Sequence, residues 1–351
     1  MSKDLVEKIA DAVLYEGYIL YPYRASSVKN QQRWNFGALC PESYSLAQRG
    51  SESWTMQTEC LVESTARASL TVKVRFLHLL TREVAKLVGC GSEDCTHQKL
   101  DNRHFELVSA LEVNGKLFQT WQEAVERELT LPALELSNVV GQTIGIPFSF
   151  PAKITTEFLT AASTGETAGV LIRRQQSIDG VIEVAATYFA PDCYKIKIKI
   201  LNLTSFENAE ARSRDDALMR SFVSSHTILT IENGGFVSLL DPPDSFRERA
   251  ASCNNIGTYP VLVGQEGERD CMLSSPIILY DYPQIAPESA GNLFDGTEID
   301  EILTLRIMTL TDDEKHEMRS GDERARQILE RTESLPVEQF MKMHGAMKSV
   351  K

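Results

Sequence analysis

Alternating apolar and polar residues dominate the middle of the chain. Residues 56–63 and 70–76 place apolar side chains at every second position, and residues 105–113, 181–190 and 194–200 repeat the pattern. A period of two puts such side chains on one face of a β-strand. We therefore predict strands between about residues 54 and 310, each with one face on a core and the other in water.

Turn-forming residues separate several of these segments. Asn114-Gly115 lies between residues 105–113 and a following apolar run, and Asp179-Gly180 lies between residues 169–174 and 181–190. Asn-Gly and Asp-Gly favour the tight turns of β-hairpins. We predict a hairpin at each, and a third that joins residues 227–232 to 236–240. Further strands are predicted at residues 259–263, 276–280 and 301–310.

Helical patterns occur near both ends of the chain. Leu5, Ile9 and Val13 recur every four residues, which predicts a helix over residues 3–16. Thr311 and Glu314 form a capping box at the start of a helix to about residue 332, and a last helix follows Pro336. The predicted fold is mainly β within the α+β class: antiparallel, sandwich-like sheets with an N-terminal helix and two C-terminal helices.

Residues 207–216 are charged and irregular, and they are the best candidate for a linker. They suggest three parts: an N-terminal helix and arm over residues 1–45, an antiparallel β domain over 46–206, and a second β segment with the C-terminal helices over 217–351. The last two parts are also compatible with one domain, since 351 residues suit one large domain or two.

The net charge of −13 argues against one class of binding partner. An acidic surface is repelled by the phosphate backbone, so we expect no nucleic-acid partner. No apolar run approaches the roughly 18 residues of a membrane helix, and the N-terminus does not resemble a secretory signal. Seven scattered cysteines suggest reduced thiols. These features predict a cytoplasmic protein without membrane insertion.

An aromatic and basic stretch follows the first helix. Tyr21, Tyr23, Arg24, Arg33 and Trp34 lie there, in a part of the chain with few acids. Tyrosine, tryptophan and arginine are common anchors of protein interfaces, so these residues are candidates for binding an acidic protein partner. The simpler alternative is an ordered arm whose rings pack on the body of the protein.

Cys90, Cys95, His97 and His104 form the densest group of possible metal ligands. Thiolate and imidazole suit transition metals, which makes zinc, nickel or iron a possible cofactor. The Cys-x4-Cys spacing is looser than in common zinc sites, and no second cysteine pair lies at a useful distance. A surface loop with incidental cysteines is the more ordinary interpretation.

A hydrolase is a second alternative. A Cys–His or Ser–His–Asp arrangement could be assembled from the loops of residues 226–282, although most chains of this length permit such a set. No Gly-x-Ser-x-Gly elbow supports it. The candidate residues are His226, Cys253, Asn254, Asn255, Asp270, Cys271, Ser274, Ser275, Asp281 and Tyr282.

Two further patterns have ordinary explanations. His78 continues the apolar face of its strand, where a hydrogen-bonded core histidine is more common than a catalyst. Lys195, Lys197 and Lys199 alternate with isoleucines. The stripe is a candidate contact for an acidic partner, but such a stripe is most often a solvated face, or protects an edge strand from pairing with another chain.

Four segments of the chain resemble an uncharacterised bacterial protein family that is associated with gene sets for nickel–iron hydrogenases: residues 20–24, 35–37, 273–283 and 294–300. The resemblance covers both ends of the chain and implies an accessory role near a metalloenzyme; it transfers no catalytic residue. We therefore expect an interaction or assembly protein rather than an enzyme. A metal-binding protein that uses Cys90, Cys95, His97 and His104, and the hydrolase, are the alternatives.

Overall fold

The computed structural model describes residues 2–16, 36–64, 67–88, 98–100, 103–190 and 192–284, together with scattered positions between 310 and 334. The protein is mainly β, and all strand pairs in this part of the chain are antiparallel. The helices are α1 (Ser2–Glu16), α2 (Glu42–Ala47), α3 (Leu136–Val139), α4 (Arg214–Leu218) and α5 (Arg247–Ala251), with 3-10 turns at Ala209–Ala211 and Asp244–Phe246.

Seventeen strands are described. They are β1 (Thr55–Glu63), β2 (Ser69–Val88), β3 (Gln98–Leu100), β4 (Arg103–Val108), β5 (Ala110–Val113), β6 (Lys116–Gln119), β7 (Trp121–Thr130), β8 (Leu134–Glu135), β9 (Thr143–Phe150), β10 (Lys153–Thr160), β11 (Thr167–Gln175), β12 (Ile178–Ala190), β13 (Cys193–Asn202), β14 (Val223–Glu232), β15 (Gly235–Phe236), β16 (Tyr259–Leu262) and β17 (Cys271–Ser275).

The 20-residue strand β2 organises the larger sheet. Along one side it pairs first with β14 and then with β11, and along the other side with β8, β7 and β4. Strands β17 and β16 extend the sheet beyond β14, and β10 lies outside β11. One strand therefore connects two halves of the large sheet, and β10 forms an outer edge of the second half.

A small sheet with the order β15-β1-β13-β12-β9 packs on the first half. The buried core between the two sheets contains Val72, Val74 and Phe76 of β2 and the isoleucines at 196, 198 and 200 of β13. The Phe76 and Phe222 rings are stacked with their centroids 4.8 Å apart. This is the predicted sandwich, and burial of apolar side chains from both sheets stabilises it.

The predicted N-terminal helix is confirmed as α1, which adds a third layer. Val6, Ile9 and Val13 pack on the outer face of β14, β16 and β17. Ion pairs lie beside this contact: Arg75, whose side chain is 7% exposed, lies 2.7 Å from Asp11 and also contacts Glu7, Glu126 and Glu128. The amphipathic helix thus covers a face of the large sheet that would otherwise expose apolar side chains.

The predicted turn at Asp179-Gly180 is wrong. Both residues lie inside β12: Asp179 pairs with β9, and Gly180 pairs with β9 and β13. A Cβ atom on Gly180 would lie 2.5 Å from Phe148 Cζ, 2.8 Å from the Leu201 carbonyl oxygen and 2.8 Å from Phe222 Cζ. The glycine is therefore explained by the close packing of these groups against β12 rather than by a turn.

The predicted strand at residues 105–113 also differs from the structure. Residues 105–113 form two strands, β4 and β5, because the chain leaves the large sheet at Ser109 to form the separate hairpin β5–β6. The Asn114-Gly115 turn of this hairpin is confirmed, and both residues have the positive φ angles (56° and 74°) that such a turn requires.

The third predicted hairpin does not form, because the chain passes from one sheet to the other between β14 and β15. β14 pairs with β2 in the large sheet, whereas β15 pairs with β1 in the small sheet. The predicted strand at residues 259–263 is confirmed as β16, but residues 276–280 form no strand, and β17 precedes them at Cys271–Ser275.

The segment 207–216 contains a 3-10 turn and the start of α4, which Ser213 and Asp216 cap reciprocally. Strand β14, which follows this segment, pairs with β2, which precedes it. Strands from both sides of the proposed boundary therefore share one sheet. At the C-terminus the described positions Asp312, Lys315 and Arg319 are helical, and Leu310 is not in a strand. The rest of the predicted strand at 301–310 and the helix after Pro336 lie outside the described residues.

Candidate functional site

Most of the proposed metal ligands lie outside the described part of the chain. Cys90, Cys95 and His97 are among residues 89–97, which it does not include. His104 is half-buried in β4, opposite Val88 on one side and Lys99 on the other. Among the described residues, no group of three or more histidines, cysteines and acids could hold a metal ion. The metal site remains a prediction.

The proposed partner-binding residues Tyr21, Tyr23, Arg24, Arg33 and Trp34 also lie outside the described residues. Their role likewise remains a prediction.

The residues of the hydrolase alternative are held in separate structural roles. His226 is fully buried, and its Nδ1 donates to the Ser224 carbonyl oxygen at 3.0 Å. Ser274 shares hydrogen bonds with Thr58 and Thr258 in the core, at 2.6 and 2.7 Å. Asp281 accepts from Ser238 and from the Leu262 N–H. These contacts organise the core and do not bring a nucleophile to His226.

Cys253 is also poorly suited to be a nucleophile. Burial raises the pKa of its thiol to about 11. Burial raises the pKa of the Cys271 thiol as well, to about 12. Both side chains are therefore thiols at neutral pH, while the thiolate is the reactive form.

The lysine stripe has a structural role that its alternation did not reveal. β13 lies between β1 and β12, not at an edge. Lys195 and Lys197 contact Glu59 at 2.7 and 2.9 Å, and the Glu59 side chain is 5% exposed. Burial by itself raises the pKa of Glu59, but hydrogen bonds from Lys195, the Asn254 backbone and Lys197 together hold that pKa below its ordinary value.

The outer face of β1 is consequently buried, against the expectation that it faces water. Gln57, Glu59 and Leu61 are all 5% exposed or less. The Asn254 N–H donates to the Glu59 carboxylate, and the Asn254 carbonyl oxygen accepts from the Gln57 side chain. Leu61 packs on Phe246. The residues around α5 thus form a cover that is fixed to the small sheet by a satisfied ion-pair cluster.

The outer strand β10 is largely exposed. Seven of its eight residues are exposed; only Leu159 is buried. Ile154 is 61% exposed, and Phe158, whose ring lies 6.0 Å from that of Phe105, is 40% exposed. One side of β10 pairs with β11, and no described strand pairs with the other side. β10 therefore presents backbone N–H and C=O groups at an open sheet edge.

No sequence pattern singled out β10 as a candidate site. The only local signal was its content of Ile, Thr and Phe, which favour strands. Nothing in such a composition distinguishes an edge strand from an interior strand. Its position at the edge depends on which strands pair with β11, and that pairing is decided by distant parts of the chain.

Beside β10, one face of the large sheet carries a row of charged side chains. Arg82 contacts Glu123 at 2.8 Å, and Arg173 contacts Glu123 and Glu157 at 2.8 and 2.9 Å. Lys153 lies opposite Gln175 on the neighbouring strand. An exposed edge and a charged face thus lie side by side, and together they form a surface suited to binding rather than to covalent chemistry.

Comparison with known proteins did not assign a family: no protein-family model and no curated protein matched the chain. Among the described helices, none is long and apolar enough to span a membrane.

Proposed function

We propose that the protein is a cytoplasmic accessory protein that binds an extended segment of a protein partner along β10. The observation that carries the proposal is an eight-residue sheet edge whose side chains are exposed on both faces. Strand addition at such an edge is an established way to recognise extended peptides, in which backbone hydrogen bonds provide affinity and alternate side chains provide specificity.

The side chains of β10 define the partner segment. Ile154 and Phe158 are on one face of the strand, so apolar residues at alternate positions of the segment would pack against them. Lys153 lies on the other face and forms no ion pair with a described residue, so an acidic residue opposite it is favoured. We therefore propose a segment that alternates apolar and acidic residues.

The cytoplasmic location and the partner rest on further arguments. All five cysteines that the structure describes are free thiols, as expected in a reducing compartment. The resemblance to a family associated with nickel–iron hydrogenase gene sets makes a subunit of such a hydrogenase the first partner to test.

A peptide experiment tests the proposal directly. A fluorescently labelled eight-residue peptide of alternating valine and glutamate, with blocked ends, should bind the wild-type protein in an anisotropy titration. Ile154→Lys should weaken binding about tenfold, because charge on an edge strand opposes strand pairing. The same titration with a hydrogenase subunit tests the partner.

The matched control is Ile278→Lys, since Ile278 is 72% exposed and lies outside β10. It should bind the peptide as the wild type does. A peptide of the same composition with two central prolines should not bind, because proline cannot donate the ladder hydrogen bonds. Equal binding of the proline peptide, or no effect of Ile154→Lys, would refute the proposal. Sedimentation of the wild type that shows a dimer lost in Ile154→Lys would instead identify a second copy as the occupant.

A further inference from the structure

Arg127 is held in a fixed position on the charged face of the large sheet. It lies on β7 opposite Phe76 of β2, so its side chain emerges on the face that also carries Phe76 and His78. Its guanidinium carbon is 4.5 Å from the centre of the Phe150 ring, and its Nη2 donates to Gln175 Oε1 at 2.8 Å. Stacking and a hydrogen bond thus orient the guanidinium before any ligand binds.

The position of Gln175 is itself fixed. Its Nε2 donates to the Pro151 carbonyl oxygen at 3.2 Å, and its side chain is nearly buried. The amide oxygen is therefore committed to Arg127, and the guanidinium cannot turn away without losing this bond.

The charge of Arg127 has no carboxylate partner among the described residues, in contrast to its neighbours. Arg82 and Arg173 share Glu123, at 2.8 Å each. Burial is the cause that lowers the pKa of Arg127 from its ordinary value. Lys153, opposite Gln175 on β10, also forms no ion pair with a described residue. Gln175 therefore holds the guanidinium of one uncompensated cation and lies opposite the other on the neighbouring strand.

The neighbouring polar atoms also lack partners. The Nε–H of Arg127 is buried and makes no hydrogen bond within the described part of the chain. His78 is completely buried, and neither ring nitrogen makes one there either. Buried polar groups normally make hydrogen bonds. Buried N–H donors without a partner, next to a cation without an ion pair, therefore indicate that a hydrogen-bond acceptor is missing.

His78 adds no charge to the site at neutral pH. Burial, with the nearby charge of Arg127, lowers its pKa to about 4, and the Gln176 backbone opposes the shift without hydrogen-bond geometry. The prediction that His78 is buried in the core is thus confirmed, but the hydrogen bond expected for it is absent among the described residues. The positive charge of the site comes from Arg127 and Lys153.

We propose that Arg127 and Lys153, which flank Gln175, form a binding site for an oxyanion, namely a carboxylate or phosphate group. A guanidinium presents N–H groups in a planar fork that matches either anion, and a lysine adds a mobile ammonium group. The two proposals share Lys153, but this one does not require strand addition at β10, because its main ligand, Arg127, lies on β7.

Titration of the whole protein with inorganic phosphate and, separately, with succinate tests the site, with binding followed by calorimetry at low ionic strength. At least one anion should bind. Arg127→Met, which keeps an unbranched stem against Phe150, should weaken binding about tenfold, as expected for a lost charge-assisted hydrogen bond. Lys153→Met should weaken it less, since Lys153 is exposed.

The control variants are Arg249→Met and Lys116→Met. Arg249 lies 5.5 Å from the Phe246 ring and Lys116 lies 5.1 Å from the Phe118 ring, so each control also removes a cation beside an aromatic side chain. Both should bind the anion as the wild type does. Stronger binding of phosphate than of succinate, or the reverse, identifies the preferred group. The proposal is overturned if neither anion binds, or if the controls weaken binding as much as Arg127→Met.

Discussion

At the scale of single residues, the main determinants of this protein are groups whose role depends on residues far away in the sequence. Gly180 permits the close approach of Phe148 and Phe222. The Glu59 side chain is buried and forms ion pairs with Lys195 and Lys197. Both residues occur in strand-like sequence, where a glycine predicts a turn and a glutamate predicts a solvent-exposed side chain. The sequence therefore predicted strands in these two regions, but not the contacts that the two residues make.

Gly180→Ala should destabilise the protein by about 2 to 3 kcal/mol, because the added methyl group would collide with two rings and a backbone carbonyl. Chemical denaturation measures this loss. Gly145→Ala is the matched control in the neighbouring strand β9, since its Cβ would lie 3.7 Å from Val181 Cγ1, an ordinary contact. The control should remain within about 0.5 kcal/mol of the wild type. Equal losses in the two variants would contradict the packing explanation.

At the scale of elements, β2 and α1 show which features local patterns could predict. The start of β2 and most of α1 follow from periodicity, since each period reflects the geometry of the backbone. The continuation of β2 to Val88 was not predicted, because Arg82 interrupts the apolar face that His78 continues. Arg82 lies between β7 and β11, which are far away in sequence, and forms an ion pair with Glu123 of β7.

Arg75→Met should loosen α1. Arg75 contacts two acids of α1 and two of β7, so its removal leaves four carboxylates close together, two of which also contact Lys73. Hydrogen exchange of the α1 amides should accelerate, while exchange in β13 stays unchanged.

Added salt should partly restore protection of α1 in this variant, since it screens the repulsion between carboxylates. Lys86→Met removes an exposed ion pair with Glu106 and should leave α1 unaffected. Unchanged exchange of α1 in Arg75→Met would mean that apolar packing alone holds the helix.

At the scale of the whole molecule, the sandwich combines an acidic chain with internal groups whose protonation is controlled by burial. His78 and His226 lie inside, and burial lowers the pKa of each to about 4 from an ordinary value of 6.5. Both are neutral in the folded protein at neutral pH. The unfolded chain binds protons more readily than the folded protein as pH falls below 6.5, which favours unfolding.

We therefore expect the free energy of unfolding to be highest above about pH 6.5 and to fall as the pH is lowered towards 4. Glu59, whose folded pKa is lowered, adds a further loss below its ordinary value of 4.5. Denaturant titrations at pH 7.0, 5.5 and 4.5 measure the slope. The double variant His78→Gln and His226→Asn should have a smaller slope between pH 6.5 and 4.5. An unchanged slope would show that other groups account for the acid sensitivity.

The sequence by itself determined the mainly β class, the N-terminal helix and the Asn114-Gly115 hairpin, because periodicity and turn chemistry act over a few residues. It did not determine which sheet each strand joins. The tertiary structure places β14 and β15 in different sheets, keeps Gly180 inside a strand, and leaves β10 open at an edge beside Arg127. Those features depend on pairing and packing between residues far apart in the chain, and a local pattern contains no record of such neighbours.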